Sequence, residues 1–136
     1  MVAYSFNRIF HADVESLNKR QTVRAHRKRH AQPGEPVHLY AGMRTRHCRK
    51  LVTPDPICTS VSLVEIAVLT DIRQRLGFLT IDGITLDDDE IEAFAIEDGF
   101  KASTGATARQ RMGRFWSINH GPGLFNGVLI KWEPAQ

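Results

Sequence analysis

The stretch Leu17-Asn18-Lys19-Arg20-Gln21-Thr22-Val23-Arg24 marks a change of backbone. Upstream of it, Phe10, Val14 and Leu17 fall at i, i+4 and i+7, the spacing of a short helix with one apolar face. Asn18 is the expected stop, because asparagine tolerates the left-handed conformation found at helix ends. From Gln21 to His26 the chain reads as extended. A lysine, a threonine and two arginines therefore crowd the point where a helix hands over to a strand. A threonine hydroxyl is a weak nucleophile that needs a base. A lysine serves as that base only if burial or neighbouring cations lower its pKa. Arg20 and Arg24 are the candidate cations. Against this stands the ordinary case, in which a Lys and a Thr on a basic strand are surface residues.

Working outward, Val2–Phe10 reads as a first strand. Pro33-Gly34 is a turn signal, and Val37, Leu39 and Ala41 then alternate with His38 and Tyr40 as a strand does. Residues 42–56 read as loop. Cys58–Leu69 is the strongest strand pattern, and another extended stretch is expected around Phe78–Ile84. Thr85 and Asp88 resemble a capping box that opens a helix, with the acidic run from Asp87 to Glu90 at its dipole-favoured end. Ile91, Phe94 and Ala95 form the apolar face of this helix, and Gly99 ends it. A second helix is expected over about Thr107–Asn119, with Ala108, Met112, Phe115 and Trp116 on one face. Asn126–Trp132 reads as the last strand. Strands and helices do not alternate regularly, which argues against a doubly wound parallel sheet. The expected class is α+β, a small mixed β-barrel with two or three flanking helices.

The chain has 136 residues, 42% of them apolar and 24% charged. This is an ordinary globular composition, enough for one domain over residues 1–136. No apolar run approaches the roughly 20 residues that cross a bilayer, and the first residues lack a long apolar stretch, so a cytoplasmic location is expected. Two cysteines, Cys48 and Cys58, make no disulfide framework, and their spacing matches no common zinc pattern. His26 and His30 would share a face only in a helix, and that segment reads as loop. No metal, cofactor or protein partner is expected.

The net charge is +3, but it is unevenly spread. Residues 1–50 hold 11 Lys/Arg against 3 Asp/Glu, whereas residues 71–100 hold 2 against 9. The basic half is the natural phosphate-contacting surface. Within it Arg44, Arg46, Arg49 and Lys50 lie near Tyr40 and His47, and arginine beside aromatics suits phosphate contact and base stacking. Phe115 and Trp116 read as core. Glu97 and Asp98 fall in the last turn of a helix, where the dipole disfavours carboxylates. There is no Walker-type phosphate loop, dinucleotide glycine fingerprint or zinc-finger spacing.

Taken together, these elements resemble a known family. Lys19-Arg20-Gln21-Thr22-Val23-Arg24 is similar to the K-x-x-T-x-R core of the ASCH-domain signature, with Leu17-Asn18 where a glycine is usual. Pro33-Gly34-Glu35-Pro36-Val37-His38-Leu39 resembles the family's P-G-D step into the next strand. Glu97-Asp98-Gly99-Phe100 resembles its acidic-Gly-Phe element. The resemblance covers most of the chain and implies a PUA-like pseudo-barrel that holds RNA or a modified nucleoside in a basic cleft. Arg20, Arg24, Tyr40, Arg44, Arg46 and Lys50 would contact nucleic acid. Some relatives are amidohydrolases that deacetylate N4-acetylcytidine, and others have been described as ribonucleases. Carried over by motif position, the hydrolase residues would be Lys19 as base, Thr22 as nucleophile and Asp98 as orienter or proton carrier. Asp98 is one methylene shorter than the glutamate common at that place.

Overall fold

Val2, Tyr4 and Phe6 are buried while the residues between them are not, the period of a half-buried strand. Tyr4 and Phe6 lie on β1 (Ala3–Phe6), which Val2 precedes; β1 pairs in parallel with β3 (His38–Ala41) and sets Tyr4 against Leu39 and Phe6 against Ala41. The structure, a computed structural model, describes residues 1–71 and 75–136. After β1 come a 3-10 turn over Arg8–Phe10 and a short helix α1 (His11–Glu15) that buries Phe10 and Val14. The first strand thus stops at Phe6, four residues earlier than its composition indicated.

β2 (Gln21–Ala25) follows α1, and β4 (Arg49–Lys50) pairs antiparallel with β3 inside the stretch expected to be loop. β5 (Ile57–Val68) is the longest strand, close to the bounds its sequence indicated. It pairs antiparallel with β6 (Leu76–Ile81), which pairs in turn with β7 (Ile84–Thr85). The extended stretch expected around Phe78–Ile84 is therefore a hairpin. It turns at Asp82 and Gly83, whose φ values of 50° and 81° are both positive, as the two central residues of a type I′ turn require. α2 (Asp88–Glu97), α3 (Ala108–His120) and β8 (Gly123–Glu133) complete the chain. One sheet has the order β1-β3-β4 and the other β2-β8-β5-β6-β7. Among the described residues the protein is mixed α and β, with two sheets and three α-helices.

The chain divides into two compact units. The first comprises Met1–Thr22, Arg27–Val61 and Ile130–Gln136, and the second Val23–His26 and Ser62–Leu129. In the first unit Tyr4, Val37, Leu39, Ile130 and Trp132 are almost wholly enclosed, with Phe6 edge-on to Trp132 at 6.1 Å between centroids. In the second, Ile91, Phe94 and Ala95 of α2 and Ala108, Met112 and Trp116 of α3 supply the buried helical faces. The Glu92 carboxylate of α2 accepts the first two backbone N–H groups of α3, from Ala108 at 3.0 Å and Arg109 at 2.8 Å. Such a carboxylate satisfies orphan donors and complements the dipole at once. Arg109 donates to the carbonyls of Leu76 and Gly77 and pairs with Asp88, tying α3 to β6 and α2.

Two helix ends differ from their sequence reading. The left-handed residue after α1 is Leu17 (φ 64°), not Asn18. Its N–H bonds the Val14 carbonyl at 3.1 Å, and Lys19 N–H bonds the Asp13 carbonyl at 2.9 Å. The cap of α2 is Asp87, not Thr85, which is committed to β7 opposite Thr80. Asp87 accepts from Glu90 N–H at 2.8 Å, and the Glu90 side chain accepts from Asp87 N–H at 3.0 Å. Asp87→Ala is therefore expected to lower stability by about 1 kcal/mol. Thr85→Ala should leave the cap intact and cost markedly less. Urea midpoints of the two variants check this, and equal losses would contradict the assignment of the cap.

Candidate functional site

Lysine is almost never fully buried without compensation, yet Lys19 is 3% exposed. The left-handed turn at Leu17 and the Lys19 N–H bond to Asp13 fix its backbone, and its ammonium lies 4.8 Å from the centre of the Phe10 ring. Such a cation–ring contact is electrostatically attractive. Gln21 and Thr22 are buried as well, at 2% and 4%. Two successive enclosed residues mean that both faces of β2 are covered at this point. Lys19 and Thr22 thus lie three residues apart in the first unit, both withdrawn from solvent.

Arg20 goes the other way. Its side chain is 45% exposed, its Nε–H donates to the Leu17 carbonyl at 2.8 Å, and it pairs with Glu133. Beyond it, the Arg20 carbonyl accepts from Trp132 N–H at 3.0 Å. The indole Nε1–H of Trp132 is buried and has no acceptor among the described residues. A buried donor of this kind requires an account, commonly a water or a ligand atom.

Asp98 belongs to the second unit. It caps the C-terminus of α2, its N–H bonded to the Phe94 carbonyl at 2.9 Å, and it is 5% exposed. Glu97 beside it is exposed. A buried carboxylate at this end of a helix is disfavoured by both desolvation and the dipole, which marks Asp98 as the distinctive acid of the pair. Gly99 (φ 105°) then reverses the chain, so that Phe100 is buried edge-on against Phe115 at 5.4 Å.

The basic loop of the first unit is partly neutralised from within. Lys50 pairs with Asp55 at 2.9 Å, and the same carboxylate lies 3.1 Å from His38 Nδ1. The hydrogen bond to Asp55 raises the Lys50 pKa above its ordinary value. Arg49 pairs with Glu15. Arg44 and Arg46 are exposed and make no ion pair among the described residues. Tyr40 is half-buried on β3 opposite Lys50. Of the six residues expected to contact nucleic acid, Arg44 and Arg46 therefore present the least compensated charge, and Arg20 and Lys50 are already engaged by carboxylates.

Arg24 lies on β2 in the second unit, half-buried. Partial burial of the ring holds the His120 imidazole below its usual pKa although the residue is exposed overall, and the Arg24 charge lowers it further. His120 and Phe125 were not singled out from the sequence. They flank Trp116, which was read as core and is indeed 4% exposed. The available signal was the i, i+4 spacing of Trp116 and His120, which puts both rings on one face of α3.

Of the remaining reactive groups, Cys48 is exposed, and Cys58 is buried with its thiol pKa raised by that burial. His30 is enclosed against Tyr4, its Nδ1 3.0 Å from the hydroxyl. Among the described residues no group of three or more His, Cys, Asp or Glu is placed to hold a metal ion. A pocket of about 350 Å³ opens beside the start of α3, between Leu69, Arg75, Gly77 and Gln110. Its arginines are committed, Arg75 to Asp71 and Arg109 to Asp88 and main-chain carbonyls. No helix among the described residues is long and apolar enough to cross a membrane. Comparison of the chain with family models, with curated proteins and with solved structures finds no match.

The lowered His120 pKa has a defined sign. The folded state favours the neutral ring, so stability from this group is full above the ordinary value of 6.5 and declines as pH falls through and below it. An NMR titration of wild type should place His120 below 6.5, and Arg24→Gln should move it upward. A midpoint unchanged by Arg24→Gln would contradict the electrostatic link.

Proposed function

We propose that this chain is an ASCH-type domain with a PUA-like fold that binds RNA or a modified nucleoside. The observation that carries the reading is the burial of Lys19 beside Gln21 and Thr22 at the head of β2. These are the positions where the K-x-x-T-x-R resemblance calls for reactive side chains, and a solvated basic strand would leave them exposed. In the same unit the buried Trp132 Nε1–H has no acceptor among the described residues. Arg24, Arg44 and Arg46 supply phosphate-directed charge.

The same burial favours a second reading, amide hydrolysis of N4-acetylcytidine. Thr22 Oγ would attack the acetyl carbonyl while Lys19 takes the hydroxyl proton. The C–N bond then breaks, the amine nitrogen takes a proton, and cytidine leaves. Water hydrolyses the acetyl-threonine ester and releases acetate. The resemblance also implies an acidic role for Asp98, which belongs to the second unit. This mechanism needs Lys19 neutral at its working pH.

Binding is expected to be salt-sensitive, with log affinity for a single strand falling by about 0.7 per neutralised phosphate per decade of salt. Arg44→Ala with Arg46→Ala should weaken binding and flatten that slope, whereas Arg20→Ala with Lys50→Ala should do so much less. Filter binding at two salt concentrations measures both. RNA affinity in the first double variant equal to wild type would remove the loop from the interface. For the hydrolase reading, turnover of N4-acetylcytidine should vanish in Thr22→Ala and in Lys19→Arg, which keeps the charge but cannot act as a base. Retained turnover in Lys19→Arg would overturn the base assignment.

A further inference from the structure

The second unit carries an aromatic cluster that the Lys19–Thr22 chemistry does not use. Trp116 and His120 are one turn apart on α3, and the imidazole lies across the indole with centroids 4.3 Å apart and planes 30° from parallel. The Gly121-Pro122-Gly123 turn, with φ of 80° at Gly121 and 117° at Gly123, folds the chain back into β8. Phe125 then meets the same indole edge-on at 4.6 Å and His120 at 5.7 Å. The indole is almost fully covered, whereas His120 is exposed and Phe125 half-exposed. Two rings thus stand on a rigid aromatic floor and show surface to solvent.

Gly127 locks this arrangement to β2. A Cβ added there would collide with both the Phe125 ring and the Arg24 carbonyl oxygen. Only glycine lets the ring and the β2 backbone approach each other this closely. The partial burial of the ring and the Arg24 charge that depress the His120 pKa favour a neutral imidazole, which stacks without repelling the Arg24 guanidinium. Charge around the cluster is one-sided. α3 carries Arg111 and Arg114 and no carboxylate, Arg109 at its start being held by Asp88, whereas the exposed side chains of α2 include Asp88, Asp89, Glu90 and Glu97. A polyanion is favoured along α3 and disfavoured along α2.

We infer that His120 and Phe125, seated on Trp116 beside Arg24, form a stacking shelf for one base of a single-stranded RNA. The inference rests on the RNA reading above and adds where a base, rather than a phosphate, is held. Ring faces accept any base, and a nearby guanidinium serves the adjoining phosphate.

The experiment compares wild type, His120→Ala, Phe125→Ala and Phe125→Leu, each checked by thermal melting. Each binds an octamer of ribocytidine and an abasic ribose-phosphate strand of equal length. The alanine variants should weaken octamer binding by about 5- to 100-fold without changing its salt slope or the binding of the abasic strand. Phe125→Leu keeps an apolar side chain without a ring and should behave as Phe125→Ala does. The octamer should quench indole fluorescence in wild type, whereas the abasic strand should not. Variants that bind the octamer as wild type does would overturn the shelf and leave the RNA reading standing. Equal wild-type affinity for the two strands would do the same. A wild type that binds neither strand would overturn the RNA reading, and the shelf with it.

Discussion

A leucine held in the left-handed region is the constraint on which the reactive segment depends. Leu17 adopts φ of 64° at a cost of about 1–2 kcal/mol relative to an ordinary conformation. Three hydrogen bonds surround it: its own N–H to Val14, Lys19 N–H to Asp13, and Arg20 Nε–H to the Leu17 carbonyl. The consequence lies in the next few side chains. Lys19 is turned inward over Phe10, Arg20 outward to Glu133, and Gln21 and Thr22 enter a part of β2 covered on both faces. A more relaxed helix end would present the Lys-Arg pair to water as two equivalent cations.

The second unit is organised by separation of charge between its helices. α2 carries the acids and α3 the bases, and the two are joined where this helps both. Glu92 closes the positive end of α3, while Arg109 reaches back to Asp88 and to the β6 carbonyls. The chain-wide asymmetry visible in the composition thus has a local use. It welds two helices and leaves α3 without an acid. Asp98 sits apart from this scheme, buried at the end of a helix whose dipole disfavours it.

Local patterns were read well where the signal was local. The apolar faces of α2 and α3, the alternation of Val37, Leu39 and Ala41, and the long strand β5 all follow from side-chain periods of 3.6 and 2. Misreadings arose where two nearby residues competed for one role. Asn18 and Leu17 both adjoin the end of α1, and Thr85 and Asp87 can both cap a helix. In each case the winner was decided by a partner outside the pattern: the carbonyls of Asp13 and Val14 for the first, and the pairing of Thr85 with Thr80 for the second. The Asp82-Gly83 turn was available as a dipeptide signal but lay inside a stretch read as continuous.

What the sequence determined by itself was most of the elements, though not β4 or the β6–β7 hairpin, their order and the identity of the candidate reactive residues. These depend on side-chain period, turn chemistry and the Lys19-to-Arg24 spacing, all carried within a few residues. The tertiary structure alone decided which of those residues are enclosed and which are spent on ion pairs. Lys19, Thr22 and Asp98 are buried, Arg20 and Lys50 are neutralised by Glu133 and Asp55, and Arg44 and Arg46 keep their charge exposed. Burial and pairing depend on groups brought close from far along the chain, such as Glu133 to Arg20 and Phe125 to Trp116. No local period encodes those approaches.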